Sequence, residues 1–284
     1  MERECCLTML VTLIGGAALL ACGWWPAAHL EARGACRAEK IAWRRIWLPA
    51  VPALAIAAAL CGWALVEPDP VPEKVPWSLA LMTIPFALLF ARTAIRGAAA
   101  LLAIQNDPAI ATVGLLRPWI VFSPNLAKSL SDRQIEAALE HERAHARHRD
   151  PLRIWLAQSV TDSQWPWPQA RERLDAWLTA LELARDEETR TEGVDGADLA
   201  EAILASARFA GRTNLATQAA LAGEPSRLKE RIRRLLEPPP SGSQKSARSS
   251  YGLLLLLAPA FALALASGAI FGERLVRTLF WIAA

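Results

Sequence analysis

The chain has 284 residues, with 31 Lys and Arg against 28 Asp and Glu, a formal charge of +3, and 53% apolar residues. Charge this close to balance leaves no electrostatic footprint for nucleic acid. The five cysteines (Cys5, Cys6, Cys22, Cys36 and Cys61) lie in or beside the N-terminal apolar region without a CxxC pair, which excludes a thiolate zinc site in the charged part and argues against a disulfide framework.

Charged residues are nearly absent from four segments and dense between residues 131 and 250, the pattern of a membrane protein that carries one water-facing domain. A bilayer core takes about 20 apolar residues in a helix. Segments 7–25, 46–66, 75–91 and 251–272 qualify, the third being the shortest, and Trp24, Trp25, Trp47, Trp63 and Trp77 stand near span ends as interfacial aromatics do. The first segment is read as a span and not a signal peptide, because "MERE" lacks the positive start of a leader. Loop 26–45 carries Arg33, Arg37, Lys40, Arg44 and Arg45, Arg92 and Arg96 follow the third span, and loop 67–74, "EPDPVPEK", is acidic. By the positive-inside rule, loop 26–45 and the region between the third and fourth spans face the cytoplasm, and both termini lie outside.

Within that region, "PWIVFSP" (118–124) reads as an edge strand bounded by prolines. Ser131 is a good N-cap, and Gln134 completes a capping box. The helix they open is expected to run from Asp132 to about Arg149 and stop before Pro151. "DSQWPWP" (162–168) reads as a turn, helices follow over about 169–192 and from near Asp198, and 225–237 reads as a basic amphipathic helix. That basic helix fits either contact with anionic lipid or a solvated surface. Segment 238–250 is of low complexity and reads as a flexible linker.

One stretch carries chemistry. "HERAH" places His141 and His145 four residues apart, one turn along one helix face. Two imidazoles at that spacing can chelate one zinc ion, and Glu142, beside the first, can reach the attacking water as general base. The small neighbours Ala137, Ala138, Ala144 and Ala146 leave room for other elements, whereas Arg133, Arg143, Arg147 and Arg149 also suit a merely solvated helix. A catalytic zinc needs a third ligand. The residues leave two sources open: His148, three positions after His145, and an acidic residue from the second helix, where Glu182 and Asp186 share a face within an apolar context.

The run "FSPNLAKSLSDRQIEAALEHERAHARHRDP", followed by "WPWP" and "ELARDEE", resembles the integral-membrane zinc metallopeptidases of the BlaR/MecR antirepressor type. Three spans before the catalytic domain and one after also fit that family. The resemblance implies one zinc ion per chain held by His141, His145 and Glu182, with Glu142 as catalytic base and Asp150 and Asp186 orienting the histidines. His148 or an arginine remains a candidate for stabilising the oxyanion. The expected architecture is mainly α: four transmembrane helices with an α+β zincin-like (HExxH) metallopeptidase domain inserted between the third and fourth. It divides into a membrane region 1–96, a cytoplasmic peptidase domain 97–237, the linker 238–250, and a last span with its tail, 251–284.

The setting implied is a bacterial inner membrane. The implied substrate is a cytoplasmic transcriptional repressor or the chain itself, with a membrane sensor protein as a further partner and no direct contact with nucleic acid. No S-x-x-K serine site follows the fourth span in this sequence, so β-lactam sensing is not expected. Two other readings stay open. A quality-control protease of the HtpX type is similar around HExxH and E-x-x-x-D, although the span arrangement argues against it. A signalling or scaffold protein could use the zinc domain without cleaving, although the intact Glu142 argues against that.

Overall fold

The computed structural model describes residues 2–26, 34–66, 74–103, 110–212, 225–238 and 251–283. Among them, helices dominate and one two-stranded sheet is present. Helices α1 (Glu2–Gly23) and α4 (Trp77–Ala103) are each long and apolar enough to cross a membrane. Helices α2 (Ala35–Trp47) and α3 (Ala50–Val66) form a pair bent by 48° that passes the same test together. Of the expected fourth span, the described residues supply a shorter apolar stretch, Phe261–Gly272, within the terminal helix (Tyr251–Ala283, α11 below).

The expected loop 26–45 is largely helix α2, and the reason is amphipathicity. Its apolar stripe is covered by the long helix α8 (Pro168–Thr191). Ala42 and Ile46 close a cluster with Leu174, Trp177 and Leu181 of α8 and with Ala157 of α7 (Asp150–Asp162), and Trp43 and Trp47 pack on its rim. Helix α7 has no counterpart in the sequence reading. It begins directly after α6 (Asp132–His148), because Arg149 adopts a left-handed conformation (φ 53°) and turns the chain before Pro151 starts the next helix.

The expected strand is present as β2 (Trp119–Phe122). It pairs antiparallel with β1 (Ile110–Val113), Ile110 opposite Phe122 and Val113 opposite Trp119. Gly114 leads out of β1 at φ 92°, where a side chain would also strike the Trp119 ring. A short helix α5 (Pro124–Ala127) precedes α6. Helix α9 (Gly196–Arg212) and helix α10 (Pro225–Leu236) complete the domain, with Ala137, Leu199, Ala200 and Leu235 forming the cluster that joins α6, α9 and α10. The terminal helix α11 (Tyr251–Ala283) lies along α3 so closely that a side chain on Gly268 would collide with the Ala59 carbonyl oxygen, the small-residue packing that membrane helices use in place of a hydrophobic drive.

Polar contacts tie the two parts together. Arg173 of α8 is buried and donates to the carbonyl oxygens of Gly23 and Trp25, which satisfies the open end of α1. Arg96 of α4 meets Asp162 of α7 at 3.0 Å, and the Trp155 indole donates to the Gly97 carbonyl at 3.0 Å. The expected linker 238–250 falls almost wholly outside the described residues.

Candidate metal centre

Helix α6 starts as its sequence demands. The Ser131 hydroxyl accepts from the Gln134 amide, and the Gln134 side chain accepts from the Ser131 amide, a reciprocal capping box. From that start, positions 137, 138, 141, 144 and 145 face inward and are buried. The alanines among them let α9 and α8 approach, and the two histidines fall on the face that meets α8. Helix α8 brings Glu182 to the same point. Ligand atoms of His141, His145 and Glu182 lie within 4.8 Å of one another, the one such group found among the described residues.

The imidazoles are held from behind. His145 Nδ1 is 2.9 Å from Asp150 Oδ2. Asp150 is fully buried and accepts from Arg185 Nε at 2.6 Å, Arg185 Nη2 at 3.0 Å and Arg153 Nη1 at 2.9 Å, so it is an anion and His145 Nδ1 must be the donor. His141 Nδ1 faces Asp186 Oδ1 at 3.2 Å, short of hydrogen-bond alignment. The two Nε2 atoms then point at each other, 3.1 Å apart, with Glu182 oxygens at 3.5 Å from His141 and 3.7 Å from His145. Two bare imidazole acceptors and a carboxylate converging at such range repel one another unless a proton or a cation sits among them. The residues therefore fit a divalent metal: two nitrogens, one oxygen, and a carboxylate behind each imidazole.

The electrostatics point the same way. Burial works against charge on His141, yet Asp186 and Glu182 outweigh it and push its pKa up to about 9. Burial likewise opposes ionisation of Glu182 and Asp186, but Arg231 with both histidines for Glu182, and Arg231 with His141 for Asp186, hold the carboxyls below their usual range. Asp150 is driven down against its own burial by His145 and Arg185. The pocket thus keeps its carboxylates charged and favours positive charge at its centre.

Glu142 follows His141 in α6. The Thr112 hydroxyl of β1 stands 2.8 Å from both its main-chain oxygen and its Oε2, sharing one proton between them. The structure brings Asp150 and Asp186 behind the histidines. It does not bring His148 into the cluster, because His148 Nε2 is engaged with Glu188 Oε2 at 2.9 Å. Sequence reasoning missed Thr112, Arg185, Arg153 and above all Arg231, which sits in the helix read as lipid-facing or solvated. Arg231 Nε and Nη2 grip Asp186 at 2.8 and 2.9 Å, and Nη1 meets Glu182 Oε2 at 2.9 Å. A signal existed: with Leu228, Ile232 and Leu235 it shares one helical face, so this arginine interrupts an otherwise apolar stripe. Nothing in the sequence marks Thr112.

Apolar helices of membrane-crossing length stand beside a helical domain in which two imidazoles and a carboxylate gather at one buried point, an arrangement that suits a membrane protein with a metal centre. Residues 101–235, which contain every residue of the cluster, match the family model described as BlaR1 peptidase M56. Over that segment, just under half of the chain, the protein is similar to peptidases of the BlaR1 type. No curated protein and no solved structure matches the chain.

Proposed function

We propose that this chain is a membrane-anchored zinc endopeptidase that holds one zinc ion through His141, His145 and Glu182 and uses Glu142 as general base. The observation that carries the reading is the convergence of two carboxylate-backed Nε2 atoms and Glu182 within 4.8 Å, beside Glu142, inside an M56 peptidase segment. When bound, zinc polarises the scissile carbonyl and acidifies water. Thr112 occupies Glu142 Oε2 and leaves Oε1 to take the proton of the attacking water, which Glu142 then passes to the leaving amine. Asp150, clamped by Arg185 and Arg153, keeps the His145 Nδ1 proton in place and Nε2 bare, and Asp186 stands in the same position behind His141.

The substrate in this proposal is a cytoplasmic protein, a transcriptional repressor or the chain itself, and the role is signal transduction by regulated proteolysis. The membrane region 1–96 and the last helix hold the domain 97–237 at the cytoplasmic face of a bacterial inner membrane, with both termini outside. The Lys and Arg bias of the short loops supports that orientation.

The test is zinc content and cleavage of casein or of the chain itself by the purified full chain, beside Glu142→Gln. One zinc in each is expected, with turnover about 10²- to 10⁴-fold lower in the variant. Equal cleavage by both overturns the role of Glu142, and absence of zinc in both overturns the metal centre.

A further inference from the structure

Three cations are bonded to carboxylates of the candidate centre, and they come from different places. Arg185 of α8 and Arg153 of α7 secure Asp150. Arg231 comes from α10, outside the helices that carry the three metal-binding side chains, and touches two carboxylates at once. Its planar fork runs from both oxygens of Asp186 (2.8 and 2.9 Å) to Oε2 of Glu182 (2.9 Å). The side chain is 16% exposed, so these bonds are largely shielded from water.

We propose that Arg231 is a positioning residue of this centre, a clamp that takes up Oε2 of Glu182 so that a single oxygen, Oε1, is presented to the metal, and that holds Asp186 against His141. The inference rests on the zinc-peptidase reading above. Each of the three guanidinium nitrogens meets a carboxylate oxygen of the centre, so the group is committed to Asp186 and Glu182. Charge arithmetic agrees: Arg231 offsets Asp186, and a divalent ion offsets Glu182 and Glu142. A carboxylate freed from the clamp can swing to bind through both oxygens and raise the coordination number. An ammonium at this position supplies the charge but lacks the fork needed to span both carboxylates.

The experiment uses the full chain in detergent, stripped of metal and loaded with Co2+ alone, comparing wild type, Arg231→Gln and Arg231→Lys. Visible absorption reports coordination, because four-coordinate Co2+ absorbs several-fold more strongly than five- or six-coordinate. The expected result is an intense band in wild type and a weakened, shifted band in both variants. Loss of kcat of about 10- to 100-fold with zinc is expected in both, with KM little changed. Arg231→Lys keeps the charge and the fold, so it reads the clamp even where Arg231→Gln unfolds. Identical spectra and kcat in all three overturn the clamp, as does full rescue of both by lysine, which would assign the effect to charge alone. An unchanged spectrum with lost turnover also overturns it and places Arg231 on the substrate. Failure of the wild type itself to bind Co2+ sinks the zinc reading, and the clamp with it.

Discussion

Asp150 is the residue on which most of the centre leans. It is fully buried, backs His145, and neutralises Arg185, whose side chain is only 2% exposed. Removing one partner of a buried ion pair leaves the other uncompensated, at about 3–5 kcal/mol. Asp150→Ala is therefore expected to destabilise the chain by that amount, read as a lowered unfolding midpoint in detergent, and to weaken zinc binding. If the midpoint were unchanged, Arg185 would have another acceptor of equal worth. A neighbouring group predicts acid behaviour. Burial raises the Glu188 pKa, but His148, Arg185 and Arg147 outweigh it and bring it from the ordinary 4.5 to about 2. A depressed carboxylate contributes stability above its unfolded value and loses it as pH falls through the folded one. The gap in stability between wild type and Glu188→Gln, ~1 kcal/mol or less for a partly exposed network, is expected in full above about pH 4.5 and to vanish near pH 2. A gap that persists unchanged to pH 2 would show that Glu188 acts through packing and not through charge.

At the scale of elements, the centre is a meeting of four helices and one strand, with α7 supplying Asp150 and Arg153. Helix α6 supplies the imidazoles and Glu142, α8 supplies Glu182 and Asp186, α10 supplies Arg231, and β1 supplies Thr112. The turn at Arg149 matters as much as any helix. Its left-handed backbone costs about 1–2 kcal/mol, and in return Asp150 lands in the first turn of α7, where the helix N-terminus favours an anion, five positions from the histidine it supports.

At the scale of the molecule, helix α2, which precedes the apolar helix α3, belongs to the core that α7 and α8 build. Glu39 of α2 is buried, accepts from the Trp177 indole at 3.1 Å and pairs with Arg153, whose guanidinium lies 4.7 Å over Trp43 and also bonds Asp150. A continuous path of packed and charged groups thus runs from α2 to His145. Trp177→Ala removes a fully buried indole from that interface, at about 3–5 kcal/mol. Limited proteolysis is expected to cut within 34–47 in the variant and not in wild type, with zinc content reduced as Glu39 and Arg153 lose their setting. Protection of 34–47 in the variant would mean that α2 docks by other contacts.

Much of this protein is legible in one dimension. Hydropathy marks the apolar helices, because the bilayer demands a run of side chains and nothing more. Ser131 and Gln134 mark the start of α6, because capping is local. His141, Glu142 and His145 are visible because one helical turn joins them. Helix α2 reads as a loop because its partner, α8, lies more than a hundred residues away, and β1 goes unseen because four residues make a strand only beside β2. Asp150, Asp186 and Glu182 are distinguishable from other acids through resemblance, while Thr112 and Arg231 acquire their places only in three dimensions. Spacing along a helix is a local property that sequence alone determines, whereas the groups that hold a ligand from behind come from whichever element packs there, and that is decided by the burial of distant apolar faces.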